Sequence, residues 1–291
     1  MAPPRVFPEE VLLDLVAEHE DLDRVLSSLD LRQWVEPTPC EGWAVRDQVS
    51  HLAFFDDAAV MALVDPVGFA ETARSATERE GDPMEEHLRR GREMSPPSLL
   101  EWWRTSRATL AESARGRPRD ERVPWFGPPM SLTSFVSARL METWAHGQDV
   151  ADALGVTRTP TDRLRHVAHL GVRARPFSYL VRGLAVPDGP EGAVRVELSS
   201  PSGGTWVWEG EPTNGAPQGS VTGSAEDFCL VVTQRRNLDD TSLEVRGRAA
   251  LEWMRIAQAF AGPPGPGRPP EAKGERGRAE PLPVHRTERR G

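Results

Sequence analysis

Two cysteines, Cys40 and Cys229, are all that the 291 residues contain. They cannot build a disulfide framework, so reduced thiols of a cytosolic protein are expected. Lysine is scarcer still. Of 35 Lys and Arg residues only Lys273 is a lysine, a bias that reads as genomic base composition rather than a use for arginine everywhere. No apolar run approaches the ~18 residues of a membrane helix. The opening "MAPPRVFPEE" has no basic stretch followed by an apolar core, so neither a membrane span nor a signal peptide is expected, and the cytoplasm is the expected location. Excess positive charge is absent as well: the net charge is −9, and the basic surplus sits in 262–291, leaving the body more acidic than the total. An acidic body without interleaved aromatic and basic residues excludes nucleic acid as the expected partner. Phosphate-binding loops, dinucleotide fingerprints and nucleophile elbows are also missing from the sequence.

What remains is mostly amphipathic helix. Residues 9–29 place Leu12, Leu15, Val16, His19, Leu22, Leu26 and Leu29 on one stripe, and 45–63 repeat the pattern with Val45, Val49, Leu52, Ala59 and Leu63. Pro37 and Pro39 keep the intervening "EPTPCEGWAV" out of helix. Residues 66–97, acidic and broken by Pro83, Pro96 and Pro97, are expected to be loop with short helical pieces. Ser98 is the expected cap of a helix through "LLEWWRTSRATLAESA", and Ser131 caps a longer one that Gly155 closes in the left-handed region. A fifth helix over 161–180 should bend or end near Pro176. Four such helices imply an antiparallel bundle.

Beyond Gly183 the texture changes to period-2 alternation. "AVRVELSS" and "GTWVWEG" flank "PSGG" as a hairpin, "GSVTG" and "TSLEVRG" are further strands, and "SAEDFCLVV" and "RAALEWMRIAQAF" are helices. The fold class is therefore α+β, with a helical bundle over 1–182 and a smaller α/β domain over 183–261. Residues 262–291 are rich in Pro, Gly and Arg and are expected to be a disordered tail.

Within "ARLMETWAHGQDVADALG", Glu142 and His146 stand four apart on a helix, so both side chains lean over one spot. They are either an ordinary surface or core pair or two jaws of a metal clamp. Phe135, Ala138 and Arg139 lie on the same stripe, as if facing a bundle interior, and a buried carboxylate and imidazole need partners. His51, on the second amphipathic helix, can supply a third ligand.

These residues carry a resemblance. "TPCEGWAVRDQVSHL" and "METWAHGQDVADALG" resemble the two signatures of the mycothiol-dependent maleylpyruvate isomerase group, a branch of the DinB-like metal-binding superfamily. "FCLVVTQRRN" and "AQAFAG" place the chain nearest an actinobacterial subgroup. The resemblance spans nearly all of residues 10–261. It implies a DinB-like four-helix bundle followed by a sterol-carrier-like domain, with His51, Glu142 and His146 as metal ligands. Such a three-ligand set leaves a position for water or substrate and suits zinc first, with nickel, iron or manganese as alternatives. Asp149, three residues past His146, is either a fourth ligand or a carboxylate that orients the imidazole, and the second role is favoured.

The implied cosubstrate is mycothiol, held as thiolate for isomerisation of an electrophilic alkene or for S-transfer. Arg235, following "LVVT", is the candidate to hold a small anionic substrate, with Arg236 competing because "TQRR" departs from the group's pattern. The rival reading is a non-enzymatic metal-containing carrier or stress-response protein. Cys40 is expected to be a small buried thiol, His19 a satisfied core histidine, and Trp43 and Trp144 packing around the site; His166 and His169 share a helical face but no matching carboxylates.

Overall fold

The computed structural model describes residues 9–78, 83–209 and 218–271. Eleven helices and six strands are laid out among them. The bundle is made by α1 (Glu9–Ser27), α2 (Val45–Val64), α5 (Pro96–Ala114) and α6 (Leu132–Leu154), with α3 (Pro66–Glu78) and α4 (Pro83–Glu93) packed against α2. A two-stranded ribbon, β1 (Arg122–Val123) and β2 (Met130–Ser131), leads into α6. Where loop with short helical pieces was expected over 66–97, the described residues hold helices of 13 and 11 residues. Pro66, Pro83, Pro96 and Pro97 sit in first turns, where a missing N–H costs nothing and a fixed φ favours the helix. For the same reason the cap of α5 is Ser95, whose Oγ accepts from Ser98 N at 3.3 Å, rather than Ser98 itself. Ser131 and Gly155 cap α6 as expected, Gly155 at φ 64°.

The fifth helix is split at Ala174 into α7 (Leu164–Arg173) and α8 (Arg175–Leu180), Pro176 falling in the first turn of the latter. After the single turn α9 (Gly189–Gly192), β3 (Val194–Ser199) and β4 (Thr205–Trp208) form the expected antiparallel hairpin. Then β5 (Gly219–Ser224) pairs parallel with β3, and β6 (Glu244–Arg246) antiparallel with β5, giving the order β4-β3-β5-β6. Helices α10 (Ala225–Val232) and α11 (Arg248–Ile256) cover this sheet.

The apolar core does not divide at 182/183. One buried cluster runs from Leu15, Ala59 and Phe135 in the bundle through Leu164 and Val167 on α7 to Val196, Phe228 and Trp253. Gly171 makes the seam close: a Cβ there would lie 2.7 Å from Val232 Cγ2, so α7 and α10 approach only because that atom is missing.

A second apolar cluster, with Leu22, Leu26, Val49, Leu52 and Trp103, fills the other end of the bundle. Between the two lies a buried polar layer. His19 of α1, Asp56 of α2 and Arg139 of α6 are 2%, 0% and 3% exposed, and Arg139 donates to Asp56 Oδ1 through Nε and Nη2 at 3.1 and 3.0 Å. His19 Nε2 lies 4.0 Å from Asp56 Oδ2 and has no hydrogen-bond partner among the described residues; its ring meets the edge of Trp103 instead. His19 is a core histidine, as expected, with Nε2 packed rather than hydrogen-bonded. Burial, then Arg107 and Arg139, hold the His19 imidazole well below its usual pKa.

That has a pH consequence. A base with a depressed folded pKa takes up fewer protons than the unfolded chain, so stability is full above the unfolded value of ~6.5 and is lost as pH falls below it. Thermal melting of the metal-stripped protein should fall between pH 7 and 5, and fall less steeply in His19→Leu. Equal slopes would show that His19 carries none of the effect.

No helix among the described residues is long and apolar enough to cross a membrane.

Candidate metal centre

Helices α2 and α6 run antiparallel, and three rungs join them. Gln48 meets His146, His51 meets Glu142, and Asp56 meets Arg139. The register of the bundle therefore sets the site. Four residues of α6 carry Glu142 and His146 through one turn, bringing Glu142 Oε2 to 3.2 Å from His146 Nε2. His51 Nε2 approaches the same oxygen at 3.8 Å from α2. The ligand atoms of the three residues lie within 4.8 Å of one another, and no other group of His, Cys, Asp or Glu among the described residues is arranged this way. Donors held at ~2.0–2.1 Å around a tetrahedral ion sit about 3.4 Å apart, so the spacing fits a divalent metal.

Protonation agrees with that use. The His51 imidazole is pushed down to about 3, by burial first and then by His146, with Glu142 opposing. For Glu142, burial acts upward, but the hydrogen bonds and charges of His146 and His51 outweigh it and hold the carboxyl well below its usual range. A neutral imidazole and an ionised carboxylate are the forms that ligate metals.

The partner of His146 Nδ1 is one that spacing did not reveal. Nδ1–H donates to Gln48 Oε1 at 2.5 Å; Gln48 Nε2 donates to Thr38 Oγ1 at 2.8 Å, and the Thr38 hydroxyl donates to Trp43 O at 3.0 Å. This chain fixes the tautomer and turns the Nε2 lone pair toward Glu142 and His51. Asp149, the expected orienting carboxylate, stands farther off, with Oδ2 4.0 Å from Nδ1. It lies on the Nδ1 side of the ring, away from the ligand nitrogens. An amide does this work because two arginines already claim the carboxylate.

Those arginines come from elsewhere in the chain. Gln234, at φ 61°, closes α10 and turns the following residues back toward α6. Arg235 then reaches Asp149 Oδ2 through Nε and Nη2 at 3.2 and 2.8 Å, while Arg236 pairs with Asp152 at 2.6 and 2.7 Å. Of the two, Arg235 stands beside the metal centre's neighbour. Arg268 bridges both carboxylates, 2.7 Å from Asp149 Oδ1 and 2.8 Å from Asp152 Oδ2.

Arg268 belongs to the stretch expected to be disordered. Residues 262–271 instead form a strap: Arg182 Nη2 donates to Gly265 O, Asn237 Nδ2 to Arg268 O, and Glu271 N to the Asp240 carboxylate. Polar anchors on three sides replace the apolar area that this composition cannot bury. Residues 272–291 lie outside the described residues. Truncation after Ala261 should therefore cost roughly 1–3 kcal/mol, about 3–8 °C in melting temperature, with Arg268→Ala giving part of that loss. An unchanged melting curve would detach the strap from the body.

The remaining candidates fall outside the ligand set. Cys40 is half-buried near Asp149, and burial followed by that carboxylate pushes its thiol up, so it stays protonated. His166 binds Asp14 at 2.8 Å, and His169 accepts from Trp208 Nε1 at 3.2 Å; the two do not share a site. The Trp43 ring lies nearly parallel to that of His146, 6.0 Å between centroids, and Trp144 packs beside Arg158.

Residues 15–151, which hold all three candidate ligands and Gln48, match the family model described as "Mycothiol maleylpyruvate isomerase N-terminal domain". An uncharacterised protein of Mycobacterium tuberculosis, present in strains CDC 1551 / Oshkosh and ATCC 25618 / H37Rv, is 46% identical over 261 residues, 90% of this chain and 99% of its own length. Crystal structures of the mycothiol-dependent maleylpyruvate isomerase and of its histidine-to-alanine variant share the fold, each with a TM-score of 0.51. They are 20% and 19% identical to this chain, over 78% of it and 89% of theirs. Residues 15–151 thus belong to the mycothiol maleylpyruvate isomerase N-terminal domain family, and the chain as a whole belongs with its uncharacterised mycobacterial relative.

Proposed function

We propose that the protein is a metal-dependent enzyme that uses a low-molecular-weight thiol, mycothiol, for isomerisation or S-transfer on a small electrophilic substrate. The observation that carries this is the convergence of His51, Glu142 and His146 with Asp149 turned away. Three ligands with no fourth among the described residues leave a position for an incoming sulfur. A divalent cation there, zinc before nickel, iron or manganese, supplies positive charge that keeps a thiol ionised near neutral pH.

The chain's own residues do the rest. Gln48 holds His146 in the tautomer that presents Nε2. Trp43, Phe55 and His87 pack around the His51 ring, which limits water at the site. Three guanidiniums, Arg235, Arg236 and Arg268, cluster with Asp149 and Asp152 beside the centre, and Glu271 also acts on Arg236. An anionic substrate group would enter against this cluster, with Arg235 the residue to hold it. Arg235→Ala should weaken use of such a substrate while leaving metal and thiol binding intact.

Calorimetric titration of the zinc-loaded protein with mycothiol, repeated after chelation, tests the reading. Binding that depends on the metal supports it. Binding that is absent, or indifferent to chelation, would move the assignment to a carrier.

A further inference from the structure

Exposure along the two helices that carry the ligands is uneven. On α6 the half-buried residues Ser134, Ala138 and Glu142 recur one turn apart, whereas His146 and Asp149 beyond them are buried. On α2, which runs the opposite way, Gln48 and His51 are buried, and Phe54, Phe55 and Ala58 beyond them are half-buried. Both helices therefore open toward the same end. Glu142 is the most accessible of the three candidate ligands, its side chain 21% exposed against 10% and 9% for His51 and His146.

Aromatic rings line that end. Phe55 lies 4.5 Å from the His51 ring, and Phe126, 47% exposed, lies 5.7 Å from Phe55. Trp125 touches both, at 6.2 and 5.0 Å between ring centroids. Trp125 is itself fixed from beneath: it stacks on Phe69 at 5.5 Å and meets Phe135 edge-on at 5.1 Å, and both of those rings are buried. The β1–β2 loop is thus clamped by core aromatics, with Phe126 left facing water. One exposed phenylalanine is ordinary. A run of touching rings from solvent to a candidate metal ligand is not something the core requires.

We propose that Phe55, Trp125 and Phe126 hold the body of the substrate, and that the substrate class is an electrophile conjugated to an aryl group. The proposal rests on the open metal position of the preceding reading and is indifferent to which thiol enters it. A flat ring beside Phe55 and Phe126 gains edge or offset contacts beyond its simple burial, which an aliphatic chain does not. A small dicarboxylic acid would leave the wall unused and would bring charge against an apolar surface. Ala58 and Ala138 present only methyl groups at this end of the two helices. Asp149 and Arg235 lie past His146, toward the other end of α6. An electrophilic carbon at the metal would then have its ring on the Phe55 side and any anionic group on the Arg235 side.

The experiment titrates the zinc-loaded full chain with cinnamohydroxamic and crotonohydroxamic acids. Both carry a metal-binding hydroxamate and a conjugated alkene, and they differ only in ending on phenyl or methyl. Phe126→Ala removes the exposed end of the wall, and Phe55→Leu keeps an apolar group against His51 while removing the ring. Zinc content is measured for each protein. The expected result is that the phenyl probe binds the parent about tenfold more tightly than the methyl probe. That preference should fall severalfold in each variant, with zinc content and affinity for the methyl probe unchanged. No preference in the parent, or a preference that either variant leaves intact, would overturn the aromatic wall and leave the metal centre standing. Failure of both probes to bind the zinc-loaded parent would overturn the open metal position and the wall's role with it.

Discussion

His146→Ala should purify with far less than the roughly one metal per chain expected of the parent. Two remaining ligands, one on each of two helices, hold an ion poorly. The ring removed does two jobs, offering Nε2 beside Glu142 at 3.2 Å and tying α6 to Gln48 on α2 through Nδ1. Gln48→Ala separates them: it keeps the ligand atom but frees the tautomer, so metal should be retained with roughly 10–100-fold weaker affinity. Elemental analysis and chelator competition read both. Full occupancy in His146→Ala would dissolve the centre.

Arg139→Ala should produce the largest loss of stability, roughly 3–5 kcal/mol, because it strands the Asp56 carboxylate in the bundle interior. A loss of that size is a large share of an ordinary domain's stability. The layer is costly even when intact: burial lifts the Asp56 carboxyl, and the two-point contact with Arg139 opposes it. Replacing both partners by leucine should therefore cost less than the single change, since no unpaired charge is left. What the leucine pair would lose is register. Asp56–Arg139 lies on the same helix pair as the ligands, and slippage of α2 against α6 would part His51 from Glu142 before it melted the bundle. Urea denaturation gives the stability order, and metal content of the double variant reads the register. A double variant as unstable as Arg139→Ala would argue against a charge-stranding cost.

The parts legible in the sequence are those governed by local rules. Ser131 and Gly155 bracket α6 because caps have side-chain and φ requirements that few residues meet, and Glu142 and His146 are paired by helical pitch alone. His51 was visible from its place on an amphipathic face. The β3–β4 hairpin followed from period-2 alternation around "PSGG". Prolines misled at 66–97, since the same residue that breaks a helix interior begins one. Gln48 carried no signal of its own. An amide three residues before His51 becomes a partner of His146 only after α2 and α6 have packed. Arg268 was hidden more deeply, in a segment whose composition forbids a core yet whose single guanidinium finds two carboxylates from α6. Asp149 is legible as a carboxylate near His146, but spacing could not show Arg235 and Arg268 arriving from the rest of the chain.

X-ray absorption at the zinc edge tests the central claim most directly, since it reads which atoms surround the metal. Without thiol, the account predicts only nitrogen and oxygen neighbours at ~2.0–2.1 Å, from His51, Glu142, His146 and a light atom in the remaining position. With mycothiol added, one sulfur neighbour at ~2.3 Å should appear in place of that light atom, the two imidazole contributions being retained. A spectrum that mycothiol leaves unchanged, or one that loses an imidazole when sulfur enters, would contradict an open three-ligand centre built to receive a thiol.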